Sequence, residues 1–205
     1  MRRVVLAFFC LVAFLGCSNE TDDKSVAPAP AVTGPYLGQR PPGTTPELFL
    51  AAAFAERDTA WTPDGRELYY SLWERRHGVI LTRTEGPDGW SEPEFAPFSG
   101  THSDLEPFIP SGGDWLYFIS KRPLPGETGP SDVFNLWRVS RTDVGWGEPE
   151  PLPPPITTEH EEFYPSLTTD GDIYFTSDRP GGLGGEDIWW AERNGDGWAE
   201  PENLG

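Results

Sequence analysis

The phrase Gly-Trp-x-Glu-Pro occurs three times, at Gly89–Pro93, Gly145–Pro149 and Gly197–Pro201, with its tryptophans 56 and then 52 residues apart. Upstream of each copy stands a version of one aromatic strand, Arg66–Ser71, Trp115–Ser120 and Asp172–Ser177. The clearest period is the last. Phe163–Leu167, Ile173–Ser177 and Asp187–Arg193 alternate apolar and polar residues, and a fourth strand is expected from near Trp198. Asp170-Gly171, Pro180-Gly181-Gly182 and Asn194-Gly195-Asp196-Gly197 break the chain between them, because Gly and Asn accept the positive φ of tight turns. A lone sheet of about four strands is marginal. Repeated at this spacing, such sheets are the blades of a β-propeller. The expected fold class is therefore all-β, with about three four-stranded antiparallel blades.

Two segments carry a resemblance to a known family. Trp61-Thr62-Pro63-Asp64-Gly65-Arg66-Glu67-Leu68-Tyr69-Tyr70, and Ser177-Asp178-Arg179-Pro180-Gly181-Gly182 followed by Glu186-Asp187-Ile188-Trp189, resemble the WD40-like (PD40) repeat of TolB-type propellers. The resemblance covers about Pro46 to Gly205. The middle copy departs from it, with Pro110-Ser111-Gly112-Gly113-Asp114 in place of the Pro-Asp-Gly turn. It implies a rigid scaffold that docks protein partners at the cell envelope, with loops such as Arg122–Ser131 and Pro180–Glu186 making the contacts. It also suggests that Pro46–Ala51 is a strand completing the last blade of a closed ring; a short helix over Glu47–Ala55 is the alternative. Propellers close with about four to eight blades. Three blades leave raw sheet edges, so the chain is read as part of a longer protein or as one that self-associates.

The N-terminal region reads as export machinery. Arg2 and Arg3 precede the apolar run Val4–Leu15, and Gly16 stands before Cys17. Residues 1–16 are thus a signal segment, too short for a stable membrane span. Phe14-Leu15-Gly16-Cys17 looks like a bacterial lipobox, which implies acylation at Cys17 and stable anchoring by several acyl chains; simple signal cleavage is the alternative. Ser18 after the cysteine resembles outer-membrane sorting. Residues 17–45, rich in Ser, Thr, Pro, Ala and Asp without apolar period, form a tether. Residues 46–205 carry the blades. The formal charge of −18 disfavours nucleic acid and anionic headgroups as partners.

Candidate chemistry follows the repeat. Glu56, Asp104 and Glu162 occupy matching places before each blade's first strand, where inner strands line a central channel. A carboxylate ring there suits Ca²⁺; the alternative is that each acid accepts backbone N–H bonds and fixes neighbouring blades. His102 and His160 also fall in register, either as a transition-metal pair or as inter-blade polar residues. Neither makes the His-Glu-x-x-His zinc pattern, and no metal or other cofactor is assigned. Asp178, Arg179 and Asp187 suggest an ion pair and backbone hydrogen bonds across the Pro180–Gly185 loop, and no phosphate cradle is expected from its glycines. Trp90, Trp146 and Trp198 are expected between neighbouring blades, with the phrase's proline ending each edge strand, or else on the surface as sugar-stacking platforms. No nucleophile elbow or catalytic cysteine is evident, and no catalytic residue is assigned. Three function classes stay open: a partner-docking scaffold, a glycan-active envelope enzyme (sialidase-like) using paired carboxylates, and a metal-dependent structural module.

Overall fold

The computed structural model describes residues 44–45 and 56–205 of the chain. The expected signal segment, Cys17, nearly all of the expected tether and residues 46–51, expected as a closing strand, lie outside the described residues. Among those described there is no helix, and every strand pairing is antiparallel. Among the described residues no helix is long and apolar enough to cross a membrane. The described residues are all-β and form three blades of an incomplete propeller.

Blade one joins β1 (Glu56–Trp61), β2 (Glu67–Glu74), β3 (His77–Gly86) and β5 (Glu94–Phe95), with β4 (Gly89–Trp90) folded back on the far end of β3. Blade two repeats this with β6 (Asp104–Phe108), β7 (Trp115–Ser120), β8 (Asn135–Thr142) and β10 (Glu150–Pro151), and β9 (Gly145–Trp146) on β8. Blade three joins β11 (Glu162–Leu167), β12 (Ile173–Ser177), β13 (Asp187–Ala191) and β16 (Glu202–Asn203). Beyond β13, β14 (Arg193–Asn194) and β15 (Gly197–Trp198) make a small hairpin. The strand at Trp198 is therefore a hairpin arm, and the fourth strand of the blade is β16. For the same reason Pro93, Pro149 and Pro201 stand just before or at the start of the outer strand and do not end it.

The second strands of blades one and two are buried on both faces, and their two-residue period sends alternate side chains into different cores, whereas in blade three only one face of that strand is buried. Leu68 and Tyr70 pack with Trp90 inside blade one, while Tyr69 on the opposite face joins Leu116 and Phe118 of blade two. Tyr117 and Ile119 then pack with Ile173 and Phe175 of blade three. Pairing also fixes the repeat register. Tyr69, Tyr117 and Tyr174 face Ala60, Phe108 and Ser166 at matching positions. Ser71 of the first copy thus corresponds to Ile119, one place off the apparent sequence match with Ser120. The turn after the inner strand carries Gly65 and Gly171 at φ 69° and 93°, which explains glycine there. By paired positions, the first and middle turns match in length and the last is one residue shorter.

Candidate functional site

Two of the repeat acids sit in buried ion pairs. Asp104 is fully buried and accepts hydrogen bonds from Ser120 Oγ (2.7 Å), Ser99 Oγ (2.9 Å) and Arg122 Nη1 (2.7 Å). Arg122 also donates to the Phe98 carbonyl and lies over the Phe118 ring at 5.1 Å. Blade three repeats the arrangement. Glu162, also fully buried, accepts from Arg179 Nη2 (3.2 Å) and from Thr158 Oγ1, and Arg179 reaches the Ile156 carbonyl (2.6 Å) beside Phe175. Burial pushes the Asp104 carboxyl up, against the pull of Arg122. It pushes Glu162 up to about 7, against the Thr158 hydroxyl and Arg179. In blade one Glu56 opens β1, and Glu74 stands where Arg122 and Arg179 stand in the other copies. Among the described residues no three His, Cys, Asp or Glu side chains gather as a cation site.

The groups that converge at the propeller axis lie two residues further on. Each inner strand carries a bulge, between Arg57 and Ala60, Leu105 and Phe108, and Phe163 and Ser166. At each bulge a non-glycine residue takes the left-handed conformation: Asp58 (φ 53°), Glu106 (φ 56°) and Tyr164 (φ 50°). Such a backbone costs about 1–2 kcal/mol per residue and persists only where its surroundings hold it. For Glu106 and Tyr164 the neighbouring blade does so. The Glu106 N–H donates to Ser71 Oγ (2.8 Å), and the Tyr164 N–H donates to Glu106 Oε2 (2.7 Å). Arg57 ties the three bulges together, donating from Nε to Asp58 Oδ2 (2.6 Å) and from Nη2 to Tyr164 Oη (3.1 Å) and Glu106 Oε1 (3.4 Å). Burial lifts the Glu106 carboxyl to about 7, helped by Asp58 and opposed by the Tyr164 amide and Arg57.

This cluster borders a cavity of about 270 Å³ whose other walls include Trp73, Phe134, Phe163 and Glu186. Trp73 (40 % exposed) and Tyr164 (52 % exposed) present aromatic surface at its mouth. Sequence reasoning passed over Arg57, Asp58, Glu106 and Tyr164. A signal was present in two copies, where Pro107 and Pro165 follow the bulge residue. A proline has no N–H for the ladder and favours such an interruption.

The remaining repeat residues are placed as follows. Asp64 closes its turn, accepting from Thr62 Oγ1 (2.7 Å) and the Arg66 N–H (3.1 Å); the hydroxyl and amide hold its carboxyl low. Asp170 and Gly171 form the matching turn of blade three, where Gly171 O accepts from Trp198 Nε1 (2.9 Å). Asp187 accepts from the Leu183 and Gly184 N–H groups and from Asn203 Nδ2, while Asp178 accepts from the Glu161 N–H (3.0 Å), ahead of β11. Among the described residues no ion pair spans the Pro180–Gly185 loop; Arg179 turns inward to Glu162. Trp146 donates to Tyr69 Oη (2.7 Å) of the preceding blade. Trp198 lies in the core shared with Tyr117, and Trp90 packs edge-on to Trp61 of its own blade. His160 Nδ1 sits 3.7 Å from Asp178, and His102 lies apart, beside a cavity with Arg122 and Trp146.

No family model matches the chain, and no curated protein does. Among solved structures, a putative TolB from Agrobacterium tumefaciens is similar at 19 % identity and a TM-score of 0.49, over 73 % of this chain and 49 % of that one. TolB from Acinetobacter baumannii matches at 16 % identity and a TM-score of 0.46, over 74 % and 33 % respectively. A puromycin-hydrolyzing peptidase from Mycobacterium tuberculosis matches at 18 % identity and a TM-score of 0.48, over 74 % and 22 %. This chain spans about half or less of each of these structures.

Proposed function

We propose that the chain is the blade-bearing part of an exported, lipid-anchored envelope protein that acts as a rigid scaffold docking a protein partner at the axial end of its blades. The observation that carries this reading is the axial cluster. Arg57, Trp73 and Tyr164 are of the residue types that dominate binding hot spots, and they stand partly exposed around one cavity. The strained bulges fix the site before any partner arrives, so little ordering remains to be done on docking. The loop Pro180–Glu186 contributes Glu186 to the cavity wall. The charged start, apolar run and Cys17 support the anchor, and the motifs resembling TolB-type repeats support an envelope role.

A photo-crosslinking amino acid at Trp73 tests this in intact cells. The reading predicts a discrete protein adduct that disappears when Arg57→Ala and Tyr164→Ala are added. The hairpin tip Val144, 97 % exposed, serves as the control position. Crosslinking at Trp73 no stronger or more discrete than at Val144 contradicts docking at the axis.

The glycan-active alternative draws on the same cluster, since Asp58 and Glu106 both contact Arg57 and Glu106 titrates near neutrality. It predicts turnover of a fluorogenic glycoside that is lost in Glu106→Gln.

A further inference from the structure

The two blade interfaces are built on one plan, and the second lacks a charge that the first contains. At the interface of blades one and two, Arg141 lies over the Trp146 ring at 4.7 Å and pairs with Glu67 through two N–H groups, one at 2.8 Å. Tyr69 Oη donates to the same Glu67 carboxylate (2.6 Å) and accepts from Trp146 Nε1 (2.7 Å). At the next interface the corresponding arginine is Arg193, which pairs with Trp198 in the hairpin as Arg141 pairs with Trp146. It lies over the Trp198 ring at 4.8 Å. The tyrosine is Tyr117. The residue two places before that tyrosine is the place of Glu67, and there the chain has Trp115. In the third copy the same place holds Asp172. An acid thus occupies this position in two copies, and only the middle one replaces it.

At this second interface lies a cavity of about 370 Å³ bordered by Trp115, Tyr117, Arg138, Thr168 and Arg193. Arg193 donates from Nε to the Gly195 carbonyl (2.9 Å) and is in no ion pair among the described residues. Arg138 stacks on Trp115 at 4.2 Å and gives its Nε to Glu150 (2.7 Å). Both guanidiniums act on the Tyr117 hydroxyl, opposing the rise that burial imposes on it. Asp114 and Asp196 also border the cavity; their like charge penalises a dianion more than a monoanion.

We propose that this inter-blade cavity is a carboxylate-binding site, in which an acid of glutamate size from a ligand takes the seat that Glu67 fills at the preceding interface. Arg193 receives the carboxylate through its outer N–H groups, in the forked geometry by which arginine pairs with carboxylates. Tyr117 donates a hydrogen bond as Tyr69 does to Glu67, and Trp115 offers an aromatic wall for the ligand's aliphatic arm. The site is separate from the axial cluster, so its failure would leave the docking reading untouched, and the reverse also holds.

The test is a titration of the full-length protein in detergent, labelled at tryptophan and followed by the indole N–H resonances of Trp115 and Trp198. The probes are N-acetyl-glutamate amide, its neutral glutamine counterpart and inorganic phosphate. Saturable shifts with the glutamate probe are expected, in the range of about 1 mM for a single charge-assisted contact, with none from the glutamine probe. Arg193→Gln is expected to weaken binding at least about tenfold. Trp115→Glu, read on Trp198, is expected to abolish it by restoring an internal acid. Equal shifts from the glutamine probe, response to phosphate alone, or binding unchanged in Arg193→Gln would overturn the proposal. Should that variant fail to fold, retained binding in Trp115→Glu would overturn it instead.

Discussion

At the scale of single residues, Glu106 holds the most informative position. Its carboxyl is nearly enclosed, yet it accepts from the Tyr164 amide and from Arg57, so it seals two blade contacts at once. Because its folded pKa of about 7 lies above the ordinary 4.5, the folded state keeps a proton that the unfolded chain has released. Its contribution to stability is fully present below about pH 4.5 and is lost as pH rises through about 7, a change of a few kcal/mol at most. Glu162 has the same sign. Thermal melts of the wild type are therefore expected to fall in this window, and Glu106→Gln is expected to flatten part of the fall while leaving the share due to Glu162. A melting temperature that rises over the window, or a variant with the wild-type slope, would refute this.

At the scale of the strand and the blade, the inner strands of blades two and three are locked to their blade's second strand by buried ion pairs. Arg122 and Asp104 show the device most plainly. Removing the arginine strands a fully buried carboxylate, which costs about 3–5 kcal/mol, whereas removing both charges leaves no uncompensated ion. Urea unfolding is expected to show that loss in Arg122→Met and recovery of about half or more in Asp104→Asn/Arg122→Met, as removal of both charges predicts. Equal losses in the single and double variants would mean that packing of the guanidinium on Phe118, not the charge, sets the stability.

The blades themselves were legible in the sequence, because Asp-Gly turns, alternating aromatic strands and the Gly-Trp-x-Glu-Pro phrase are local signals. The outer strands were displaced in the reading, since the phrase marks a hairpin at the end of the third strand and not the edge strand. Beyond the prolines Pro107 and Pro165, the axial cluster left no mark in the sequence. Asp58, Glu106 and Tyr164 share a backbone conformation and no side-chain chemistry, and the Arg57–Tyr164 contact joins residues 107 positions apart. The acids Glu56, Asp104 and Glu162 stood out because they share chemistry, and two of them proved to face an arginine from their own blade.

At the scale of the whole molecule, blade three differs from the others in what covers it. Tyr69 and Tyr117 are each 3 % exposed beneath the following blade, whereas Tyr174 at the matching place is 38 % exposed, with Ile188 and Leu183 also open to solvent. This face has the composition of an inter-blade core and no neighbour among the described residues. Further blades of the same kind, or a second copy of the chain, would bury it, and the propeller account requires that something does. The direct measurement is the native mass of the particle extracted from its own membrane fraction. We predict an acylated species heavier than a single Cys17–Gly205 chain. A lone, unacylated chain of that length, stable with its third blade uncovered, would contradict the account.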